Sequence, residues 1–186
     1  MKEVVQESKY WQYVLLSSQR RGLILNEAIN VERSMDEFLG YYFCGHEHDS
    51  RIDLLSLLLC TGNISFRSKS LIFETILQER YKIKLSEYQD LPSEIKSAIK
   101  IRNKYAHTLL NEFDHEKDLK KGQTVFKEDY LIYDKWDEKD RKLKNEKATY
   151  RVSNKQFEKD YDYIHNVFIR LNELRIKLKN RPIPKK

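Results

Sequence analysis

The segment that decides the fold is SEIKSAIKIRNKYAH, residues 93–107, which has the periodicity of an amphipathic helix. Its apolar positions recur at spacings of three and four residues. They are Ile95, Ala98, Ile99 and Ala106, and Leu109 continues the pattern. Pro92 precedes the segment at a position that helix starts favour. We therefore predict a helix from Ser93 to about Phe113.

Apolar residues at helical spacing predict further helices on both sides of this segment. They are expected from Tyr10 to about Phe43 with a break at Gly22, from Ile52 to Cys60, from Phe66 to about Tyr81, and over residues 154–180. Ser65 is expected to cap the helix that begins at Phe66. Residues 181–186 are expected to form a frayed tail.

The stretch before the last helix has a different character. Residues 123–136 and 148–153 are rich in residue types that favour strands, and the charged run 137–147 separates them. This pattern predicts a β-hairpin with a long solvated loop, inserted over about residues 114–153.

The expected fold class is mainly α, an up-and-down bundle of four or five helices with a small β-hairpin insertion before the C-terminal helix. Residues 1–186 are expected to form a single domain whose core helices span about residues 10–113. A chain of 186 residues is enough for one hydrophobic core. With only 5 Gly and 3 Pro, an all-β sandwich is disfavoured, because such folds need many turns.

The positive charge is concentrated late in the chain. Residues 1–110 carry 15 basic and 14 acidic residues, whereas the remainder carries 20 and 15 and accounts for most of the net charge of +6. From Ile164 onward there are 7 basic residues and 1 acidic residue. A basic strip beside a balanced body suits a polyanion such as RNA, and it equally suits a solvated helix with a basic tail.

Cysteine usage and hydropathy bear on the compartment. Cys44 and Cys60 are too few to form a disulfide scaffold, which favours a reducing cytoplasm. The first residues do not resemble a signal peptide, and apolar stretches such as 57–60 are far too short to span a bilayer. We expect a soluble, cytoplasmic protein with no membrane partner.

The hexapeptide Arg102–His107, RNKYAH, carries the strongest chemical pattern. Arg102 falls on the apolar stripe of its helix, where an arginine is costly unless it is paired or lies in a wet cleft or a subunit interface. Asn103 and His107 are four residues apart and would share a helical face, so Asn103 can orient the imidazole.

These residue types suit cleavage of an RNA phosphodiester. RNA carries its own nucleophile, the ribose 2′-OH, so the protein must move protons and stabilise charge on the phosphorane. His107 is the expected acid or base, and Arg102 the expected ligand for the phosphate and the transition state. Tyr105 can stack on a base or belong to the core. Arg102 and His107 lie about 140° apart on an ideal helix, so they converge only if the arginine wraps around, the helix distorts, or a dimer shares the site.

An arginine followed by a histidine with four to six residues between them occurs by chance in roughly half of chains of this length. The fuller hexapeptide is more specific, because it resembles the signature of the HEPN superfamily, Arg-x(4–6)-His with Asn often directly after the Arg. Upstream, EAINVERSMDEFL (27–39) is similar to the acidic and apolar first core helix of that family. ISFRSKS (64–70) is similar to the segment before the signature in mannitol-repressor-like members. The resemblance covers about residues 20–113.

The resemblance implies a helical bundle that dimerises through the signature helix and cleaves RNA without a metal or cofactor, as a toxin or antiviral defence effector. Arg102 and His107 then match the catalytic pair, Asn103 the accessory polar residue, and Glu32 an acidic residue that pairs with Arg102. It also implies an antitoxin or regulatory protein as a partner. Members controlled by adenylylation often carry a Tyr two residues after the His, where this chain has Leu109, which puts that control in doubt.

Two other interpretations of the hexapeptide remain open. Many members of the family have lost catalysis and act as RNA- or protein-binding modules, and the pattern is also compatible with an ordinary helix end. Basic residues expected to contact RNA phosphates are Arg67, Lys69, Lys104, Arg170 and Arg175. The run His46–Asp49 near Cys44 is interpreted as an exposed loop rather than a metal site, since its spacing does not build a tetrahedron.

Overall fold

The computed structural model describes residues 2–60, 62–80, 86–106, 108–110, 130–135 and 149–179, and these are mostly helical, as predicted. The helices are α1 (Lys2–Cys44), α2 (His48–Leu54), α3 (Phe66–Arg80), α4 (Leu91–Ala106) and α5 (Asn154–Lys179). A π-helical turn, Leu55–Leu59, follows α2, and a 3-10 turn, Ser86–Tyr88, precedes α4. The strands are β1 (Thr108–Leu110), β2 (Tyr130–Lys135) and β3 (Thr149–Ser153).

The chain divides into two compact units. The first unit comprises Met1–Leu25 and Arg102–Tyr161, and the second unit comprises Asn26–Ile101 and Asp162–Lys186. Both units take residues from α1, α4 and α5. That residues 1–186 form a single domain stays a prediction.

The second unit is a helical bundle whose helices are linked in a ring by side-chain contacts. Lys69 joins α3 to α1, Lys96 joins α4 to α3 through Glu74, Arg170 joins α5 to α4 through Glu94, and His165 joins α5 to α1 through Glu27. Within each helix its buried apolar residues recur at helical spacing, and they include Ala28, Val31, Met35, Phe38, Leu39, Phe73, Ile76, Leu77, Leu91, Ile95, Ala98, Ile164, Val167, Leu171 and Leu174. The rings of Phe38 and Phe73 meet edge to face at 4.8 Å.

The first unit combines helical segments with an antiparallel sheet of order β1-β2-β3. Thr108 pairs with Lys135, and Tyr130 pairs with Ser153. The strands β2 and β3 fall within the two stretches whose composition favours strands. Residues 136–148, which connect them, lie outside the described residues, as do 111–129, so the hairpin insertion as a whole stays a prediction.

Several predicted helix boundaries were wrong. α1 begins at Lys2 rather than Tyr10. It also continues through Gly22, because the cost of one helical glycine, about 1 kcal/mol, is small beside the packing of a long helix. The helix predicted over Ile52–Cys60 begins earlier, at His48, and changes to a π-helical turn at Leu55. The helix predicted to reach Phe113 ends at Ala106, because residues 108–110 pair with β2 instead.

Two helix predictions were confirmed closely. α3 begins at Phe66, and the hydroxyl of Ser65 accepts a hydrogen bond of 3.1 Å from the backbone N–H of Ser68, as expected for a cap. α5 covers Asn154–Lys179, within one residue of the predicted end. The tail 181–186 lies outside the described residues. Among the helices described, none combines the length and apolar character needed to cross a membrane.

Candidate functional site at the end of helix α4

The last turn of α4 places a charged residue on an otherwise buried stripe. Buried residues recur on one side of this helix at Leu91, Ile95, Ala98 and Tyr105, at spacings of four, three and seven. Arg102 occupies the position between Ala98 and Tyr105, and its side chain is exposed. The sequence predicted that Arg102 lies on this stripe. Its charge is tolerated there because the exposed guanidinium keeps its contact with solvent.

Arg102 and Asn103 are in direct contact. Nη1 of Arg102 donates a hydrogen bond of 2.9 Å to Oδ1 of Asn103, and both side chains are exposed. Within the described part of the chain, Arg102 has this amide oxygen and no carboxylate as a partner. The guanidinium therefore keeps its full charge available to an anion.

His107, the predicted acid or base, lies outside the described residues. α4 ends at Ala106 and β1 begins at Thr108. The angle of about 140° between Arg102 and His107 assumes an ideal helix through both residues, whereas α4 ends at Ala106. The predicted orientation of His107 by Asn103 stays a prediction for the same reason.

Tyr105 belongs to the core, so of its two expected roles the structure favours the core position and not stacking on a base. Its side chain is 1% exposed, and its hydroxyl donates a hydrogen bond of 3.0 Å to Oδ2 of Asp160. The same oxygen lies 3.4 Å from Nζ of Lys104, and Oδ1 accepts from Gln156 at 2.7 Å. Asp160 thus holds the turn of α4 that follows Arg102. Lys104, expected to contact RNA, is partly committed to this carboxylate.

Two arginines of α1 also lie in the first unit. Nη2 of Arg21 donates to the backbone carbonyl of Ala106 at 2.8 Å, which satisfies an acceptor at the C-terminal end of α4. Arg20 donates to Oδ1 of Asn154, at the start of α5, and its guanidinium lies over the ring of Phe157 at 5.2 Å from the centroid. Of the two, Arg21 contacts the residue that directly precedes His107.

Lys69 is buried, so the expectation that it contacts RNA was wrong. It is 2% exposed, and its ammonium donates to Oε1 of Glu32 at 2.8 Å and to Oδ2 of Asp36 at 2.9 Å. Glu32, expected to pair with Arg102, therefore has Lys69 as its partner. Burial alone would lower the pKa of Lys69, but its hydrogen bonds to the two carboxylates outweigh that and raise it.

Asp36 belongs to the same cluster, which we call the Lys69 triad (Lys69, Glu32, Asp36). Burial raises the pKa of Asp36 from its usual 3.8 to about 6, and the neighbouring Glu32 adds to the shift against the opposing effect of Lys69. Its Oδ1 is buried without a hydrogen-bond partner among the described residues. The triad is a structural link between α1 and α3, in which Lys69 and Asp36 are buried and Glu32 is partly exposed.

Two arginines of α5 that were expected to contact RNA have acidic partners. Arg170 pairs with Glu94 and donates to the backbone carbonyl of Glu87 at 2.9 Å, and Arg175 pairs with Glu37. Burial lowers the pKa of Arg175. These carboxylates offset the charges of Arg170 and Arg175, which were expected to contact RNA phosphates. Arg67, by contrast, is exposed on α3 and has no carboxylate partner in the part of the chain described.

The run His46–Asp49 is exposed, as the interpretation of an exposed loop requires, although His48 and Asp49 already belong to α2. Among the described residues, no group of three or more His, Cys, Asp or Glu side chains is arranged to hold a metal ion.

Comparison with known proteins gives no family assignment. No family model, no curated protein and no solved structure matches this chain. The residues that build the site must therefore be argued from their own chemistry.

Asp160 and Arg21 were missed at the sequence level. Their partners lie 55 and 85 residues away in the chain, at Tyr105 and Ala106. Spacing within one helix does not reveal such contacts. The one available signal for Asp160 was its position on the same side of α5 as the apolar residues Ile164, Val167 and Leu171, at spacings of three and four.

Proposed function

We propose that this protein is a metal-independent endoribonuclease of the HEPN type, acting as a toxin or an antiviral defence effector. The observation that carries the proposal is the state of Arg102. It is exposed on the buried stripe of α4, hydrogen-bonded to Asn103, without a carboxylate partner among the described residues, and five residues before His107. Lys69, Arg170 and Arg175, in contrast, all pair with carboxylates.

The chemistry proposed for the site follows from these groups. The 2′-oxygen of a ribose attacks the adjacent phosphorus, the bond from phosphorus to the 5′-oxygen breaks, and a 2′,3′-cyclic phosphate and a 5′-hydroxyl are formed. A proton leaves the 2′-OH and another is delivered to the 5′-oxygen, both within the capability of an imidazole near neutral pH. Arg102 binds the non-bridging oxygens and stabilises the charge that develops on them.

We further propose that the active form is a homodimer with α4 at its interface, in an up-and-down bundle that carries the β-hairpin insertion. An exposed arginine on an otherwise apolar stripe is compatible with a wet cleft shared by two subunits. A partner antitoxin or regulatory protein, and action in the cytoplasm, belong to the same proposal.

The direct test is cleavage of a labelled RNA with and without chelator. We expect cleavage by the wild type to persist in EDTA and to leave cyclic phosphate ends. Arg102→Ala and His107→Ala should each abolish it. Lys100→Ala is the matched control, because Lys100 is an exposed basic residue on the same helix. Cleavage that survives both site substitutions overturns the proposal, whereas RNA binding without cleavage by the wild type favours a catalytically inactive HEPN-like binding module.

A mixing experiment tests the shared site. Subunits carrying Arg102→Ala and subunits carrying His107→Ala are denatured together, refolded and assayed. If the site takes Arg102 from one subunit and His107 from the other, the mixed dimer regains one complete site and measurable cleavage. If each subunit supplies its own pair, the mixture stays inactive, which rejects the cross-subunit arrangement and leaves the nuclease proposal intact.

A further inference from the structure

The first unit contains three arginines whose charge is not offset by a carboxylate among the described residues: Arg20, Arg21 and Arg102. Arg20 is held by an amide oxygen and an aromatic ring, Arg21 by a backbone carbonyl, and Arg102 by an amide oxygen. Neutral acceptors position a guanidinium without neutralising it. Such a group attracts an anion more strongly than an arginine already paired with a carboxylate.

Arg21 is placed at the turn that carries the signature. The carbonyl that it contacts belongs to Ala106, four residues after Arg102 and therefore about one helical turn further along α4. The carbon of that carbonyl is bonded to the backbone nitrogen of His107. A guanidinium has five N–H donors, and the contact with Ala106 uses only part of this set. The half-exposed Arg21 therefore retains donors beside the turn that leads into His107.

A purely structural role explains only part of this arrangement. A basic side chain at the C-terminal end of a helix satisfies a free carbonyl and interacts favourably with the helix dipole. That accounts for the hydrogen bond between Arg21 and Ala106. It does not account for the adjacent Arg20, which is held by Asn154 and Phe157 on α5, or for the fact that neither arginine forms an ion pair with a carboxylate of the described residues.

We infer that Arg21, supported by Arg20, binds a phosphate of single-stranded RNA next to the phosphate held by Arg102. The three arginines then form one basic track across the first unit, which we call the arginine track. This inference rests on the proposed function, which places the scissile phosphate at Arg102. It adds a second phosphate-binding site on α1 to the one that Arg102 of the hexapeptide provides. Binding is non-covalent and leaves the reaction unchanged.

The test uses a 2′-O-methyl RNA oligonucleotide, which the protein cannot cleave because the nucleophile is blocked. Affinity is measured at several salt concentrations for the wild type and for Arg21→Gln, which keeps an N–H donor for the Ala106 carbonyl but loses the charge. We expect weaker binding and a salt slope smaller by about 0.7, the value for one lost phosphate contact on a single strand. Arg21→Lys should recover most of the slope.

The control is Arg33→Gln, because Arg33 is an exposed arginine of α1 in the second unit. Its slope should equal that of the wild type. A melting temperature measured for each variant separates capping from binding. If Arg21→Gln lowers the melting temperature but leaves the salt slope unchanged, Arg21 is only a helix cap and the inference fails.

Failure of the arginine track and failure of the nuclease proposal give different results. A wild type that binds the oligonucleotide through Arg21 but does not cleave unmodified RNA removes the nuclease proposal and retains the arginine track. A wild type that cleaves RNA, with Arg21→Gln unchanged in both salt slope and KM, removes the track and retains the nuclease.

Discussion

The hydroxyl of Tyr105 donates a hydrogen bond of 3.0 Å to Oδ2 of Asp160, and both side chains are buried. The bond joins the last turn of α4 to the beginning of α5. A hydrogen bond to a charged acceptor in a buried place contributes more to stability than one between neutral groups. The geometry of the turn between Arg102 and Ala106 therefore depends on a residue far away in the sequence.

Replacing Tyr105 by Phe should lower the free energy of unfolding by about 1.5–3 kcal/mol, because the carboxylate of Asp160 loses a buried donor while the ring is kept. Chemical denaturation measures the change. Tyr163→Phe is the control, since Tyr163 is only half-buried on α5. Equal stability of Tyr105→Phe and the wild type would show that the hydrogen bond contributes nothing measurable.

Replacing Lys69 by Met should destabilise the protein by about 3–5 kcal/mol at neutral pH. The substitution keeps an apolar side chain of similar length but leaves the carboxylates of Glu32 and Asp36 together without their cation. Lys100→Met, at an exposed position, should have little effect. Adding Asp36→Asn to Lys69→Met should recover part of the loss, and a double variant no more stable than Lys69→Met would argue against this account.

Asp36 should make stability depend on pH in the acidic range. Its pKa is raised to about 6 in the folded state, so the folded state holds a proton that the unfolded chain releases near 3.8. The stabilisation is present below pH 3.8 and is lost as pH rises through 6, up to about 3 kcal/mol in all.

The measurement is urea denaturation of the wild type and Asp36→Asn at pH 4, 5.5 and 7. The difference in unfolding free energy, wild type minus variant, should fall as pH rises, while the same difference for the exposed Asp53→Asn should not follow this course. A constant difference for Asp36→Asn contradicts the raised pKa. Lys69, whose pKa is raised above 10.5, does not titrate in this range.

Substitutions at Arg170 and Arg67 should have opposite effects: the first should change stability and the second should change RNA binding. Arg170→Gln should lower the unfolding free energy, because Arg170 pairs with Glu94 and the carbonyl of Glu87, and should leave affinity for the 2′-O-methyl oligonucleotide unchanged. Arg67→Gln should leave stability unchanged, because Arg67 is exposed, and should weaken binding if the predicted contact exists. Reduced affinity of Arg170→Gln at unchanged stability would mean that the Glu94 pair opens for RNA.

The boundaries that the sequence predicted well are those set by local rules. α3 and α5 have apolar residues at spacings of three and four, and Ser65 provides a cap directly before α3. The end of α4 was missed because Leu109 continues the helical pattern, whereas residues 108–110 pair with β2, a strand more than twenty residues further on. Pairing at that distance overrides local preference.

For the site, the position of Arg102 on the apolar stripe could be predicted from the sequence, whereas the contacts of the surrounding basic residues could not. Helical spacing placed Arg102 on the stripe, and the structure adds its exposure. The burial of Lys69 could not be predicted, because a lysine near a helix start is normally solvated and its partners lie 33 and 37 residues upstream. Arg170 was assigned to RNA for the same reason, since Glu94 lies 76 residues away.

The composition of the first unit has a consequence for biosynthesis. It combines residues of α1, the end of α4, and Asp160 near the start of α5, which are synthesised in that order. A ribosome that has completed the signature hexapeptide still has more than fifty residues to add before Asp160 emerges to hold Tyr105. Contacts of such high sequence separation form late. If the chain cleaves RNA, this order of synthesis keeps the nascent polypeptide harmless to the messenger and the ribosome that produce it.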